Sequence, residues 1–295
     1  MFELLGVPPQ ALFGQLLLGL INGAFYAMLS LGLAVIFGLL NIINFTHGAQ
    51  YMMGAFAAWF LLQKLGLGYW WALGIAPLAV GAVGVLIERT MLQRLYKLDH
   101  LYGLLLTFGL ALVIQGLFRN EFGSSGQPYA VPPSLTGGQN LGFMFLPNYR
   151  AWVVVVSLVV CLSTWYVIER TKLGSYLRAA TENPALVQAF GIDVPRMITL
   201  TYGFGVALAA FAGVLAAPIY QVNPLMGADL IIIVFAVVVI GGMGSIMGAI
   251  VTGFALGVVE GLTKVFYPEA SNTVIFIVMA IVLLVKPAGL FGRAH

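Results

Sequence analysis

Long apolar runs, separated by short polar segments, recur along the whole chain. They cover residues 12–38, 48–63, 70–87, 101–118, 151–168, 198–217, 229–246, 248–266 and 272–285. A helix needs about 20 apolar residues to cross the hydrocarbon core of a bilayer, and most of these runs approach that length. The last is short for a full span unless it stands nearly upright or borrows flanking residues. The runs 229–246 and 248–266 are joined only by Gly241-Gly242-Met243-Gly244-Ser245. That junction suits either two full spans or two half-helices broken around a glycine turn. The pattern predicts an all-α, polytopic membrane protein of about 8–10 transmembrane helices, forming a single membrane domain over 1–295.

Composition agrees with the pattern. Hydrophobic residues make up 61% of the chain and charged residues 8%, against roughly a quarter charged in soluble domains. Such a surface is compatible with lipid and not with water. The net charge of +3 does not indicate a nucleic-acid partner, because the basic residues lie between the apolar runs and form no stripe. The single cysteine, Cys161, lies inside an apolar run and reads as a packing residue. The start, MFELLGVPPQ, has neither a basic n-region nor an obvious cleavage site, so the first apolar run is expected to persist as an anchor.

The basic residues also orient the chain. Arg89, Arg94 and Lys97 lie in 88–100; Arg170, Lys172, Arg178 and Arg196 lie in 169–197; Lys286 and Arg293 lie in the tail. Lys64, Arg119, Arg150 and Lys264 fall in the alternating segments. The positive-inside rule puts the three rich segments, and the C-terminus, in the cytoplasm, with the N-terminus outside. Two loops are long. The external loop 119–150 is rich in Gly, Ser, Pro and Asn and suits a short hairpin or an irregular cap.

The cytoplasmic loop 169–197 reads ERTKLGSYLRAATENPALVQAFGIDVPR from Glu169. Asn183 is a good N-cap, and Pro184 follows at the first helical position, where its missing N–H costs nothing. Ala185, Leu186, Ala189 and Phe190 share one face. Gly191 supplies a left-handed stop. The sequence therefore specifies a short capped amphipathic helix, with another helical piece, 173–181, before it. An apolar knob of this kind suits either docking into a groove of a cytoplasmic partner or lying flat on lipid headgroups.

Other polar residues stand out against the apolar background. Asn41, Asn44, Thr46, His47 and Gln50 cluster between two runs. Buried in a membrane, such groups must pair internally or line water. Thr46 is expected to cap the following helix, and the cluster, with Asn22, is a candidate lining for a translocation pathway. Asn22 and Gln115 equally suit helix–helix hydrogen bonds. Glu260 and Lys264, one turn apart, read as a self-neutralising pair, and Asp229 as a helix cap. Gly244 to Gly248 and Gly253 to Gly257 have the spacing that allows close helix approach. No serine elbow, paired carboxylates or metal-ligand spacing is visible, so neither an enzyme nor a cofactor is expected.

Three segments carry a family resemblance: Gly38-Leu39-Leu40-Asn41-Ile42-Ile43-Asn44-Phe45-Thr46-His47-Gly48; the cytoplasmic set Gly174, Arg178-Ala179, Glu182-Asn183, Ala189 and Gly191-Ile192; and Val239-Ile240-Gly241-Gly242-Met243-Gly244-Ser245-Ile246-Met247-Gly248. In this order, over nearly the whole chain, they resemble the ABC importer permeases of the branched-chain amino acid (LivH-type) family. The resemblance implies a multi-pass protein of the bacterial inner membrane that carries branched-chain amino acids or similar small amino acids and amides. It implies two ATP-binding subunits contacting the cytoplasmic set, a second related permease (a heterodimer before a homodimer), and a soluble substrate-binding protein delivering near 119–150 and 218–228. The chain has no G-x-x-x-x-G-K-[ST] phosphate loop, so ATP hydrolysis would belong to partner chains. The rival reading is a self-sufficient secondary transporter or channel, which would not need the cytoplasmic knob.

Overall fold

The computed structural model describes residues 8–40, 43–96 and 98–292. Each apolar run forms a helix. In chain order these are α1 (Pro9–Leu40), α2 (Thr46–Leu65), α3 (Tyr69–Thr90), α4 (His100–Phe122), α5 (Asn148–Arg170), α6 (Lys172–Glu182), α7 (Pro184–Ala189), α8 (Val194–Ala216), α9 (Ala228–Gly241), α10 (Ile246–Phe266) and α11 (Val274–Val285). Six of them, α1, α3, α4, α5, α8 and α10, are long and apolar enough to cross a membrane. The loop 119–150 contains a hairpin, with β1 (Gly138–Asn140) antiparallel to β2 (Phe145–Pro147). Side chains on α3, α4 and α5 remain largely exposed, as lipid-facing surfaces must be, while α1 and α8 are mostly buried.

The centre of the bundle is α1 against α10. Glycines make this contact possible. A Cβ on Gly253 would lie 2.5 Å from the Cα and N of Ala27, and one on Gly23 would lie 3.0 Å from the Cα of Phe254. With no hydrophobic drive between helices in lipid, backbone approach of this kind supplies dispersion contact that larger side chains would block. The pair is also tied by charge. Glu260, buried, accepts a hydrogen bond from the Tyr26 hydroxyl at 2.7 Å and pairs with Lys264. The expected self-neutralising pair thus exists, and it also ties α10 to α1.

Two helices, α2 and α9, begin inside the bundle. The end of α1 lies beside the turn after α9, with Gly38 and Gly244 in backbone contact. Yet His47, one residue into α2, has its Nε2 3.0 Å from the carbonyl oxygen of Leu29, about 14 Å back along α1 from Gly38 at 1.5 Å per residue. The chain therefore turns back into the bundle before α2 begins. The α9 helix starts where Gly227 packs on Gly48, and its 14 residues extend only about 21 Å. The structure thus realises the half-helix alternative for α9, and α2 and α9 have neighbouring N-termini in the interior.

Two expected caps are corrected. Thr46 does not cap α2. It is the first helical residue, and the Asn44 side chain accepts from both its N–H (3.1 Å) and its hydroxyl (2.6 Å). Asp229 is the second residue of α9, after the cap position Gly227, where its charge suits the helix dipole but makes no capping bond. Ser245 caps α10, accepting from the N–H of Gly248 at 3.1 Å.

Candidate functional site

Residues of 95–103 and of 180–198 line one cleft at one end of the bundle. There, α6, α7 and the start of α8 fold around a small core of their own, Ala180, Val187 and Val194, joined by Ile192, Met197 and Ile198. Asn183 caps α7 as expected, its Oδ1 accepting from the N–H of Leu186 at 3.0 Å. Gly191 stops the helix at φ +82°, a conformation other residues adopt only with strain. The knob is therefore rigid by local chemistry. Its outer face is apolar and uncovered, with Leu186 54% and Phe190 78% exposed, and Ala185 and Ala189 exposed beside them.

The other residues singled out in this loop divide by position. Ala179, Glu182 and Asn183 are exposed, and Glu182 makes no ion pair among the described residues. Arg178 is anchored to the end of α5, donating to the Ile168 carbonyl at 3.1 Å and lying 3.6 Å from Glu169. Gly174 is buried, and a Cβ there would collide with the carbonyl of Ile168. It sets how closely α6 folds back on α5 and offers no surface to a partner.

The helix break before α2 is the second site. A break in a membrane leaves backbone groups that must be satisfied. Thr107, seven residues into α4, does this from outside the segment: its hydroxyl donates to the Ile43 carbonyl at 3.0 Å and accepts from the N–H of Phe45 at 3.3 Å. Asn44 donates to Gln50 Oε1 at 3.3 Å, and Gln50 Nε2 lies 3.4 Å from the Tyr202 hydroxyl on α8. Asn44, Thr46, His47 and Gln50 are each at most 1% exposed. In this conformation they are buried in the interior, and every side-chain polar atom of the four except His47 Nδ1 finds a partner among the described residues. Asn41 lies outside the described residues. Asn22, half-buried, accepts from Tyr220 at 3.4 Å, a helix-to-loop contact.

At the opposite end, the loop 119–150 and the segment after α8 are joined by a two-way backbone bridge. Gln127 N–H donates to Val222 O at 2.8 Å, and Val222 N–H to Gln127 O at 3.0 Å. Behind them, Tyr149 donates to the Leu215 carbonyl at 2.9 Å, and Trp152 donates to the Tyr69 hydroxyl at 3.1 Å.

The sequence reading missed Glu88. It is the nineteenth or so residue of an apolar stretch, beside Arg89, and looks like the start of a solvated loop. In the fold it is 0% exposed and accepts from the Tyr96 hydroxyl at 2.6 Å, Thr199 Oγ1 at 2.7 Å and Gln93 Nε2 at 3.2 Å. Burial, and then the bond to Glu88, push the Tyr96 hydroxyl's pKa well above its ordinary value. Among the described residues no group of histidines, cysteines and carboxylates could hold a metal ion.

Residues 15–283 match the family described as the branched-chain amino acid transport system permease component. The chain belongs to this family. The permease is 30% identical over 295 residues to the "High-affinity branched-chain amino acid transport system permease protein LivH" of Escherichia coli K12, covering 95% of each chain. It is 31% identical over 292 residues to the BraD permease protein of Pseudomonas aeruginosa, again covering 95% of each. It is also 29% identical to the LivM permease protein of Escherichia coli K12, over 90% of this chain and 67% of that one. The permease is thus the membrane-spanning component of an ABC-type importer, a transport subunit and not an enzyme, and a multi-pass protein of the inner membrane.

Proposed function

We propose that this permease forms part of the translocation pathway of an ATP-driven importer for branched-chain amino acids or similarly small amino acids and amides, and that the α6–α7 knob couples it to ATP-binding subunits. The observation that supports the coupling role is the capped helix α7, whose outer face leaves Leu186 and Phe190 exposed among the described residues. A helix lying on headgroups would not need its own core. A helix seated in a partner's groove does need one, because a pre-ordered knob loses less entropy on docking.

Two ATP-binding subunits would take the knobs of this permease and of a second, related permease. A heteromeric pair is supported by the likeness to both LivH and LivM of Escherichia coli K12, each named a high-affinity branched-chain amino acid transport system permease protein. A soluble binding protein would deliver substrate at the outer face, where the bridge between Gln127 and Val222 joins the two outer loops into one surface. ATP-driven closure would move the knob, and the adjoining spans would switch the pathway from outward- to inward-facing.

The test is copurification with ATPase assay, for wild type, Glu182→Arg and Ala189→Glu, from a strain expressing the neighbouring transport components. Both positions are exposed, so neither change disturbs the fold. An ATP-binding subunit should come down with wild type and be lost, with ATPase activity, in both variants. Transport without ATP by the isolated protein, indifferent to either change, would support the secondary-transporter reading in its place.

A further inference from the structure

We infer that Glu88 is a positioning residue that passes movement of the α6–α7 knob to the spans and to the helix break before α2. This rests on the coupling role proposed above. The path can be followed bond by bond. Val194 belongs to the knob's small core and is the first residue of α8. Thr199 lies five residues further on, about 8 Å along the same helix, and donates to Glu88 at 2.7 Å. From Glu88 the connection divides. One branch is α3 itself, which carries the carboxylate on its last turn. The other runs through Gln93 and Tyr96 into the link leading to α4, where Thr107 holds both backbone groups of the break at Ile43 and Phe45.

A purely structural reading of Glu88 is weaker. A well-packed hydrophobic side chain commonly stabilises such a site as well as a buried charge does. What a carboxylate adds is directional bonding to donors on separate segments, here α8, the turn after α3, and the link to α4. The surroundings also leave room for the knob to move relative to that link. A cleft of about 210 Å³ separates Tyr96, Asp99 and His100 from Thr181 and Pro184. Past that cleft, the bond from Thr199 to Glu88 offers a hydrogen-bonded route from the knob's end of α8 towards α4.

The experiment uses the assembled transporter, with Cys161→Ala as background and spin labels at Tyr102→Cys on α4 and Leu200→Cys on α8, both exposed positions. The distance distribution between labels is measured with and without ATP, alongside the basal ATPase rate and the yield of assembled complex. Glu88→Gln keeps the shape, and Thr199→Val removes only the hydroxyl. The expected result is an ATP-dependent shift in the parent complex that falls by at least half in Glu88→Gln and by a smaller amount in Thr199→Val, while assembly and basal ATPase stay within about twofold. An undiminished shift in Glu88→Gln, a parent complex with no shift, or a loss of shift only in proportion to lost assembly overturns the inference. Failure of any ATP-binding subunit to assemble with the parent protein is a separate result, which removes the coupling role itself and the inference with it.

Discussion

The α1–α10 pair and the α6–α7 knob are built on opposite plans. In the first, glycines bring two backbones into contact, and Tyr26, Glu260 and Lys264 bind the pair laterally. Nothing in it can shift without breaking contact along its length, because packed interiors are not continuously deformable. In the second, a core of a few small residues holds three short helical pieces together, and the largest apolar side chains point outward. Stability in the pair comes from what it buries within the chain. The knob leaves its apolar face exposed. The coupling role proposed above would need both: a body that moves as a unit and a handle that stays ordered while uncovered.

The largest effect should come from changing the fused pair. Gly253→Val puts a side chain into the Ala27 backbone, which no rotamer can avoid. It should lower stability by more than about 3 kcal/mol and abolish recovery of monodisperse protein in detergent, as read by size-exclusion chromatography. Next comes the break before α2. Thr107→Val keeps the side-chain shape but strands the Ile43 carbonyl and the Phe45 N–H, at a cost of roughly 1–3 kcal/mol. Thermal unfolding in detergent should show the loss, and Thr107→Ser should restore most of it. If Thr107→Val is neutral, the hydroxyl is not what satisfies the break.

The knob should respond differently. Asn183→Ala removes the cap of α7, worth about 1 kcal/mol locally. It should leave the unfolding temperature of the bundle nearly unchanged while weakening capture of the ATP-binding subunit several-fold in a pull-down. A matching loss of global stability would show that the knob and the body are not separate units. The smallest effect belongs to the outer loop. The Tyr129 hydroxyl is buried without a hydrogen-bond partner among the described residues, and burial pushes its pKa up to about 12 from 10.0. The raised value means the folded state holds the proton more tightly. Its contribution is therefore complete below about pH 10 and is lost as pH rises from there toward about 12. Tyr129→Phe should raise stability at neutral pH, by about 1 kcal/mol at most, because it removes a buried unpaired hydroxyl, and should reduce the alkaline sensitivity of unfolding between those limits.

Much of this organisation is legible in the residues alone. The apolar runs locate every membrane helix, since lipid permits few alternatives to a helix of that length. Asn183, Pro184 and Gly191 specify α7 through local chemistry, so no tertiary knowledge is needed there. Thr46 is the instructive error. Thr and Asn both cap helices, and only the fold shows that Asn44 turns its side chain back onto Thr46. The depth of the break was hidden as well, because what satisfies it is Thr107, sixty residues away and unremarkable in its run. Glu88 was hidden for the same reason. Next to Arg89 at the end of an apolar stretch it resembles a solvated boundary, and only Thr199 and Tyr96 make it a buried junction. Local signals reveal caps and spans, whereas long-range pairing reveals which polar residue a span depends on.

The most direct test of the account is to strip the knob's apolar face and measure stability and coupling in one preparation. In the Leu186→Ser, Phe190→Ser double variant, the unfolding temperature of the permease should match wild type, while the ATP-binding subunit should no longer copurify and ATP-dependent uptake should disappear. A variant that folds normally and still captures the subunit with full ATPase activity would contradict the claim that this face is the handle.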